Sequence, residues 1–145
     1  NMQKYLLMYP NAGFAHNLMG AILLAKGNYK QALVEVEKDT DPFWGLYRKS
    51  MVVYALGRVD EANTLLQQLV YEWGHDSWPN IAHVYAYRGE TDDAFKWLEL
   101  AYENRDASLL ELLNYPEFKS LYGDPRWNAF INKLGLPKDH DFHMD

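Results

Sequence analysis

The stretch that decides the fold lies between residues 78 and 102 and reads WPNIAHVYAYRGETDDAFKWLELAY. Its apolar residues recur at three- and four-residue intervals on both sides of Gly89, which is the spacing of two amphipathic helices. Glycine suits the end of a helix because it accepts the left-handed backbone conformation found there. The stretch therefore predicts a helical hairpin that bends at Gly89.

The same signal occurs twice more upstream, at Gly27 and Gly57. Each of the three glycines is followed five residues later by an alanine, and the glycines are 30 and 32 residues apart. An internal period of this length indicates a tandem array of helical hairpins. We therefore expect an all-α chain whose repeat units cover about 13–40, 43–74 and 75–105, preceded by a half unit at 1–10. Within the units we expect a helix from Tyr29 to about Glu37, a helix start at Asp41-Pro42, and a helix cap at Asp76 or Ser77.

Composition and charge exclude several classes of function. The chain has 145 residues, of which 48% are hydrophobic and 23% charged, and this balance argues against disorder. Its net charge of -6 disfavours direct binding of nucleic acid, because no basic surface is available to displace counterions. The sequence contains no cysteine, which excludes disulfides, thiolate metal sites and cysteine nucleophiles. No apolar run approaches the roughly 20 residues that a membrane-spanning helix needs.

The repeats resemble the tetratricopeptide repeat, whose signature is W-x2-L-G-x2-Y, a glycine turn, A-x3-F and a closing proline. The third unit carries the fullest match, at Trp78, Ile81, Ala82, Tyr85, Gly89, Ala94, Leu98 and Ala101. The second unit is the poorest, since Lys49 and Ser50 stand where leucine and glycine are usual. The resemblance implies a right-handed superhelix of antiparallel helix pairs.

The segment that follows the repeats carries a second resemblance. Residues 101–137, AYENRDASLLELLNYPEFKSLYGDPRWNAFINKLGLP, are similar to the tail that closes tetratricopeptide arrays in bacterial signalling proteins. These include winged-helix transcriptional activators, class III adenylate cyclases and some Ser/Thr kinases. The resemblance implies that the chain is the C-terminal part of a larger signalling or transcription-regulatory protein.

The residues of this segment indicate a capping helix independently of the resemblance. Asp124 suits the cap of a helix, Pro125 its first position and Gly135 its end. This helix carries one apolar stripe, which we expect to cover the array together with four leucines before it: Trp127, Phe130, Ile131 and Leu134, with Leu109, Leu110, Leu112 and Leu113. We expect the segment 107–137 to cover the last apolar face of the array, and 138–145 to form a polar tail. Because the chain opens on Asn1 inside an apolar helical pattern, we also expect it to be a piece of a longer protein. Its compartment stays open between cytoplasm and periplasm.

A ligand groove is implied by the family resemblance, since the first helix of each tetratricopeptide pair lines the concave side of the array. Aromatic residues, methionine and arginine are enriched at binding surfaces. The alternative, that these aromatics pack between neighbouring helices, stays open. Carried over by position, the groove would be lined by Phe14, Asn17, Trp44, Tyr47, Arg48, Met51, Tyr54, Asn80, His83 and Tyr87.

No set of residues predicts bond-making chemistry or a cofactor. His140 and His143, with the aspartates around them, resemble metal ligands in composition, but their spacing matches no established site. The scattered histidines lack a nucleophile or carboxylate that the sequence would bring close. We therefore expect a non-catalytic module that binds a protein or peptide. Small-ligand sensing and a structural role, including a homodimer, are the alternatives.

Overall fold

The structure is a computed structural model that describes residues 2–8 and 13–136. Within these ranges the chain is helical and has no strand, which confirms the predicted all-α class. Pro10 and the predicted polar tail at 138–145 lie outside the described residues. The helices are α1 (Met2–Met8), α2 (Gly13–Ala25), α3 (Tyr29–Glu37), α4 (Pro42–Ala55), α5 (Val59–Trp73), α6 (Trp78–Tyr87), α7 (Thr91–Glu103) and α8 (Leu109–Leu112), then the 3-10 helix η1 (Pro116–Leu121) and α9 (Pro125–Lys133).

The chain divides into two compact units. Unit 1 runs from residue 1 to 74 and unit 2 from 75 to 145. The boundary falls at the turn between the predicted second and third repeats. Each unit therefore holds complete hairpins.

The three predicted bends have the same backbone geometry. Gly27, Gly57 and Gly89 have φ values of 79°, 82° and 71°, in the left-handed region that favours glycine. In each turn, the residue after the glycine donates its N–H to the carbonyl of the residue five positions before that donor. The N···O distances are 2.8, 3.2 and 3.0 Å for the donors Asn28, Arg58 and Glu90. This hydrogen bond is that of the Schellman helix ending. The prediction that the three glycines are equivalent bends is confirmed.

In unit 1, α4 packs against both helices of the preceding hairpin, α2 and α3, as well as against its own partner α5. Its start is fixed by Asp41, whose Oδ1 accepts the N–H groups of Phe43 and Trp44 at 2.9 Å each. Pro42 occupies the first turn, as predicted. Close packing depends on Gly20 in α2, because a Cβ there would lie 2.4 Å from Cγ1 of Val36.

In unit 2, η1 and α9 attach to the α6–α7 hairpin at a constant spacing of 34 residues. The Oγ of Ser120 donates to the carbonyl of Ala86 at 3.0 Å, and these residues are 34 positions apart. Arg126 pairs with Asp92 and Lys133 with Glu99, each again 34 positions apart. These contacts hold η1 to α6 and α9 to α7.

Helix α9 begins where the sequence predicted. Asp124 accepts the N–H of Arg126 at 2.9 Å, and Pro125 takes the first position. Trp127 and Ile131 are fully buried, so the predicted apolar stripe of α9 packs inward.

Two local predictions were wrong. Ser77 stands at the start of α6 but makes no side-chain capping hydrogen bond, because its φ of -105° and ψ of 43° lie outside the extended conformation of a capping residue. Its hydroxyl donates to Oδ1 of Asp76 at 3.0 Å. Leu110 was expected to cover the array with its three neighbouring leucines, yet it is 52% exposed. Helix α8 has only four residues, and the position after its first lies about 100° round the helix from the buried face.

Candidate functional site

The predicted groove residues of unit 1 differ widely in exposure. Phe14 is 51% exposed, and Trp44 and Tyr54 are partly exposed. The other four are buried, with relative exposures of 2% for Asn17, 1% for Tyr47, 4% for Arg48 and 0% for Met51. Tyr47 and Met51 therefore belong to the interior, because α4 is enclosed by three neighbouring helices.

The exposed aromatics of unit 1 are the edge of a continuous ring cluster. Phe14 meets Trp44 edge-on with ring centroids 5.0 Å apart, and Trp44 meets Phe43 at 4.9 Å. Phe43 continues the cluster to Tyr47 at 5.7 Å and to Trp73 at 5.2 Å. The prediction missed Phe43, although its position four residues before Tyr47 puts both on one face of α4.

Arg48 joins the buried members of the site. Its Nε donates to Oδ1 of Asn17 at 3.1 Å, and its Nη1 donates to Sδ of Met51 at 3.6 Å. Its guanidinium carbon lies 4.9 Å from the centroid of the Tyr47 ring. The structure therefore brings together four residues that the sequence assigned to one site.

No carboxylate neutralises Arg48. Across residues 2–8 and 13–136, its contacts are the amide, the thioether and the ring already described. The partly buried acidic side chain of Glu35 on α3 is bound elsewhere: its carboxylate meets Nδ1 of His16 at 3.1 Å and Nζ of Lys38 at 3.2 Å. Burial raises the pKa of Glu35, but these two partners outweigh burial and hold that pKa below its usual value.

Asp39, in the link between α3 and α4, is in a less favourable environment. Its Oδ1 accepts the N–H of Asp41 at 2.8 Å. Its Oδ2 is buried without a hydrogen-bond partner among the described residues. Burial is the main reason why the pKa of Asp39 lies above its usual value, and the neighbouring Asp41 carboxylate adds to the rise.

In unit 2, the predicted groove residue His83 is fully buried. Its ring lies 4.9 Å from that of Tyr115 and 5.4 Å from that of Phe118, and its Nε2 is 3.3 Å from Oε2 of Glu117. His83 was expected on an open face, and that part of the prediction is corrected because η1 covers α6 there. Asn80 and Tyr87 are partly exposed. The groove as a whole stays a prediction.

Within residues 2–8 and 13–136, no three histidine, aspartate or glutamate side chains are grouped so that they could hold a metal ion. None of the helices in this part of the chain is both long and apolar enough to cross a membrane. His140 and His143 lie outside the described residues.

Comparison of the chain with protein-family models, with curated proteins and with solved structures gives no match.

Proposed function

We propose that the chain is a non-catalytic module that binds a protein or peptide through the surface of α2 and α4 in unit 1. In this proposal the hairpins form a tetratricopeptide-like right-handed superhelix that η1 and α9 close. The module would serve as the C-terminal part of a larger bacterial signalling or transcription-regulatory protein.

The repeat geometry supports the architectural part of the proposal. The three glycine turns share one hydrogen-bond pattern, and the first helix of the second hairpin packs on both helices of the first. The spacing of 34 residues in unit 2 equals the length of the tetratricopeptide unit.

The observation that carries the binding function is the exposed pair of Phe14 and Trp44 beside the buried pair of Asn17 and Arg48. Phe14 is half exposed although its ring packs on Trp44. Hot spots of binding interfaces are enriched in tryptophan, tyrosine and arginine, and large rings contribute most when water is excluded. An extended or helical segment would place an apolar side chain on the rings and a polar group near Arg48.

A displayed library of random peptides, selected on the full chain, tests this function. Selected peptides should bind Phe14→Ala and Trp44→Ala at least about tenfold more weakly, the usual cost of truncating a hot-spot aromatic. Tyr71→Ala is the matched control, because Tyr71 is 90% exposed on α5 and belongs to no ring pair of the site.

The melting temperature of each variant separates binding from folding. Phe14→Ala should melt close to the parent chain, because half of the Phe14 side chain is already in water. Failure to enrich any peptide, or equal binding by all three variants, would overturn the proposed function.

A further inference from the structure

We infer that the Arg48 guanidinium is an anion subsite, which restricts the ligands of unit 1 to peptides that present a carboxylate. This inference rests on the proposed function, because it names the chemical group that the peptide must bring. It gives a role to the buried positive charge of Arg48, which forms no ion pair with any described residue.

The first argument is the cost of the charge. A buried cation is expensive unless a carboxylate or several hydrogen bonds compensate it. Arg48 is 96% buried, being 4% exposed, yet its two hydrogen-bond acceptors are a neutral amide oxygen and a thioether. Thioether sulfur is a weak acceptor, so the positive charge is held but not neutralised.

The second argument is the geometry of the unused donors. Guanidinium has five N–H donors, and the two described hydrogen bonds engage one on Nε and one on Nη1. The edge formed by Nη1 and Nη2 therefore keeps N–H groups for a ligand. Two parallel N–H groups on such an edge match the two oxygens of a carboxylate.

The third argument is that the guanidinium is positioned before any ligand binds. A Cβ on Gly20 would lie 3.5 Å from Cγ of Arg48, so the stem of Arg48 runs directly over this glycine. Asn17 lies one helical turn earlier on α2 and fixes Nε. Met51, three residues further along α4, fixes Nη1. A donor held by its neighbours loses little conformational entropy on binding.

Glu35, the partly buried one of the two acidic residues on α3, already has partners of its own. Glu35 is bound by His16 and Lys38. Asp39 is engaged by the backbone of Asp41. Neither carboxylate is paired with Arg48, although Oδ2 of Asp39 has no hydrogen-bond partner among the described residues.

The peptide carboxylate has two sources, a C-terminus and an acidic side chain. Both present the same planar anion to Arg48. The exposed rings of Phe14 and Trp44 favour an apolar residue near that carboxylate. The test distinguishes the two sources by amidating the C-terminus and by replacing aspartate and glutamate with asparagine and glutamine.

Sodium acetate is the first probe, because it tests the subsite without any peptide. The Nε–H resonance of Arg48, assigned through its absence in Arg48→Met, should shift saturably with acetate. Sodium chloride at the same ionic strength should leave it unchanged. Lack of a specific acetate shift would overturn the inference, whatever the peptide library gives.

Peptides from the library form the second probe. Neutralising the recognised carboxylate should lower affinity by about tenfold or more, as expected for a charge-assisted hydrogen-bonded pair. Arg48→Met should bind the peptides with and without the carboxylate equally. Arg48→Lys should keep part of the affinity difference, because lysine retains the positive charge but lacks the paired N–H groups of the guanidinium. Peptides that bind tightly without any carboxylate would overturn the inference but leave the proposed function standing.

Melting temperatures exclude a purely structural role. Since Arg48 is buried without a counter-charge, Arg48→Met should melt at the same temperature as the parent chain or higher. A fall in the melting temperature of Arg48→Met that Arg48→Lys reverses, with no acetate shift in the parent chain, would show that Arg48 only supports the fold.

Discussion

Arg48 in unit 1 and His83 in unit 2 are both buried polar side chains on the first helix of a hairpin, but their surroundings differ. His83 has a carboxylate of its own chain, Glu117, at 3.3 Å and two aromatic rings around it. Arg48 has an amide, a thioether and a ring. In unit 2 a carboxylate of the same chain thus lies beside the buried polar group, whereas unit 1 leaves that position to a ligand.

The difference follows from the element that packs on each first helix. In unit 2 the short η1 brings Glu117 and Phe118 directly onto α6. In unit 1 the full-length α2 packs on α4 and brings only the neutral amide of Asn17 to Arg48. Two hairpins of the same kind therefore give their buried polar groups different partners, depending on the element that packs on the first helix.

The largest effect is expected from removing the cover of His83. Phe118→Ala should lower the free energy of unfolding by about 3–5 kcal/mol, because Phe118 is fully buried and its loss leaves a cavity beside the His83 ring. Chemical denaturation measures this loss, with Tyr71→Ala as the exposed control. A loss below about 1 kcal/mol would mean that η1 is not part of the core of unit 2.

An intermediate and equal effect is expected at the hairpin turns of the two units. Gly57→Ala and Gly89→Ala should each cost about 1–2 kcal/mol, the price of a left-handed conformation in a residue with Cβ. No atom lies within 4 Å of either added Cβ, so backbone strain alone sets the cost. Unequal losses would show that the two hairpins are not built alike.

Arg105 provides the reverse control for the turns. Arg105 lies two residues after the end of α7 and has a φ of 52°. It is the one non-glycine residue with a positive φ within residues 2–8 and 13–136. Arg105→Gly should therefore raise stability in the same denaturation experiment. A loss would contradict the strain argument used for Gly57 and Gly89.

The smallest effect is expected at Asp39, beside the Arg48 site. The fold raises the pKa of Asp39, so a proton on this carboxyl stabilises the folded chain. That stabilisation is fully present below the ordinary pKa of 3.8 and is lost as the pH rises through the raised pKa. Asp39→Asn keeps the oxygen that accepts from Asp41 and carries no charge. It should raise stability near neutral pH by at most about 1 kcal/mol, the scale of one poorly satisfied buried group.

Thermal melting between pH 3 and pH 7 checks the sign of the Asp39 effect. The advantage of Asp39→Asn over the parent chain should disappear at the acidic end. Glu37→Gln, an exposed change on the neighbouring helix, is the matched control. An advantage that persists unchanged at low pH would show that ionisation of Asp39 is not its cause.

The hairpins could be predicted from the sequence because their signals are local. Glycine at a left-handed position and Asp41 followed by Pro42 each act within one helical turn, and Tyr29–Glu37 has the bounds that the pattern predicted. The stacking of α4 on two earlier helices needed only the repeat period.

The depth of each site residue could not be predicted, because burial depends on contacts that are distant in the chain. Tyr47 and Trp44 lie on one helix and belong to one ring cluster, yet only Trp44 keeps part of its surface exposed. The pattern also gave no indication that residues 116–121 form a 3-10 helix over His83. Glu117, whose carboxylate lies beside the His83 ring, is 34 positions away from His83 in the sequence, and no helical periodicity links the two.

The spacing of 34 residues in unit 2 has a consequence for engineering the length of the chain. Asp92 and Glu99 reach forward to Arg126 and Lys133 by the same number of positions. An insertion between Glu99 and Arg126 would change the spacing of both ion pairs by the same number of residues, because both pairs span that segment. A change of length there therefore acts on both contacts between α7 and α9 at once.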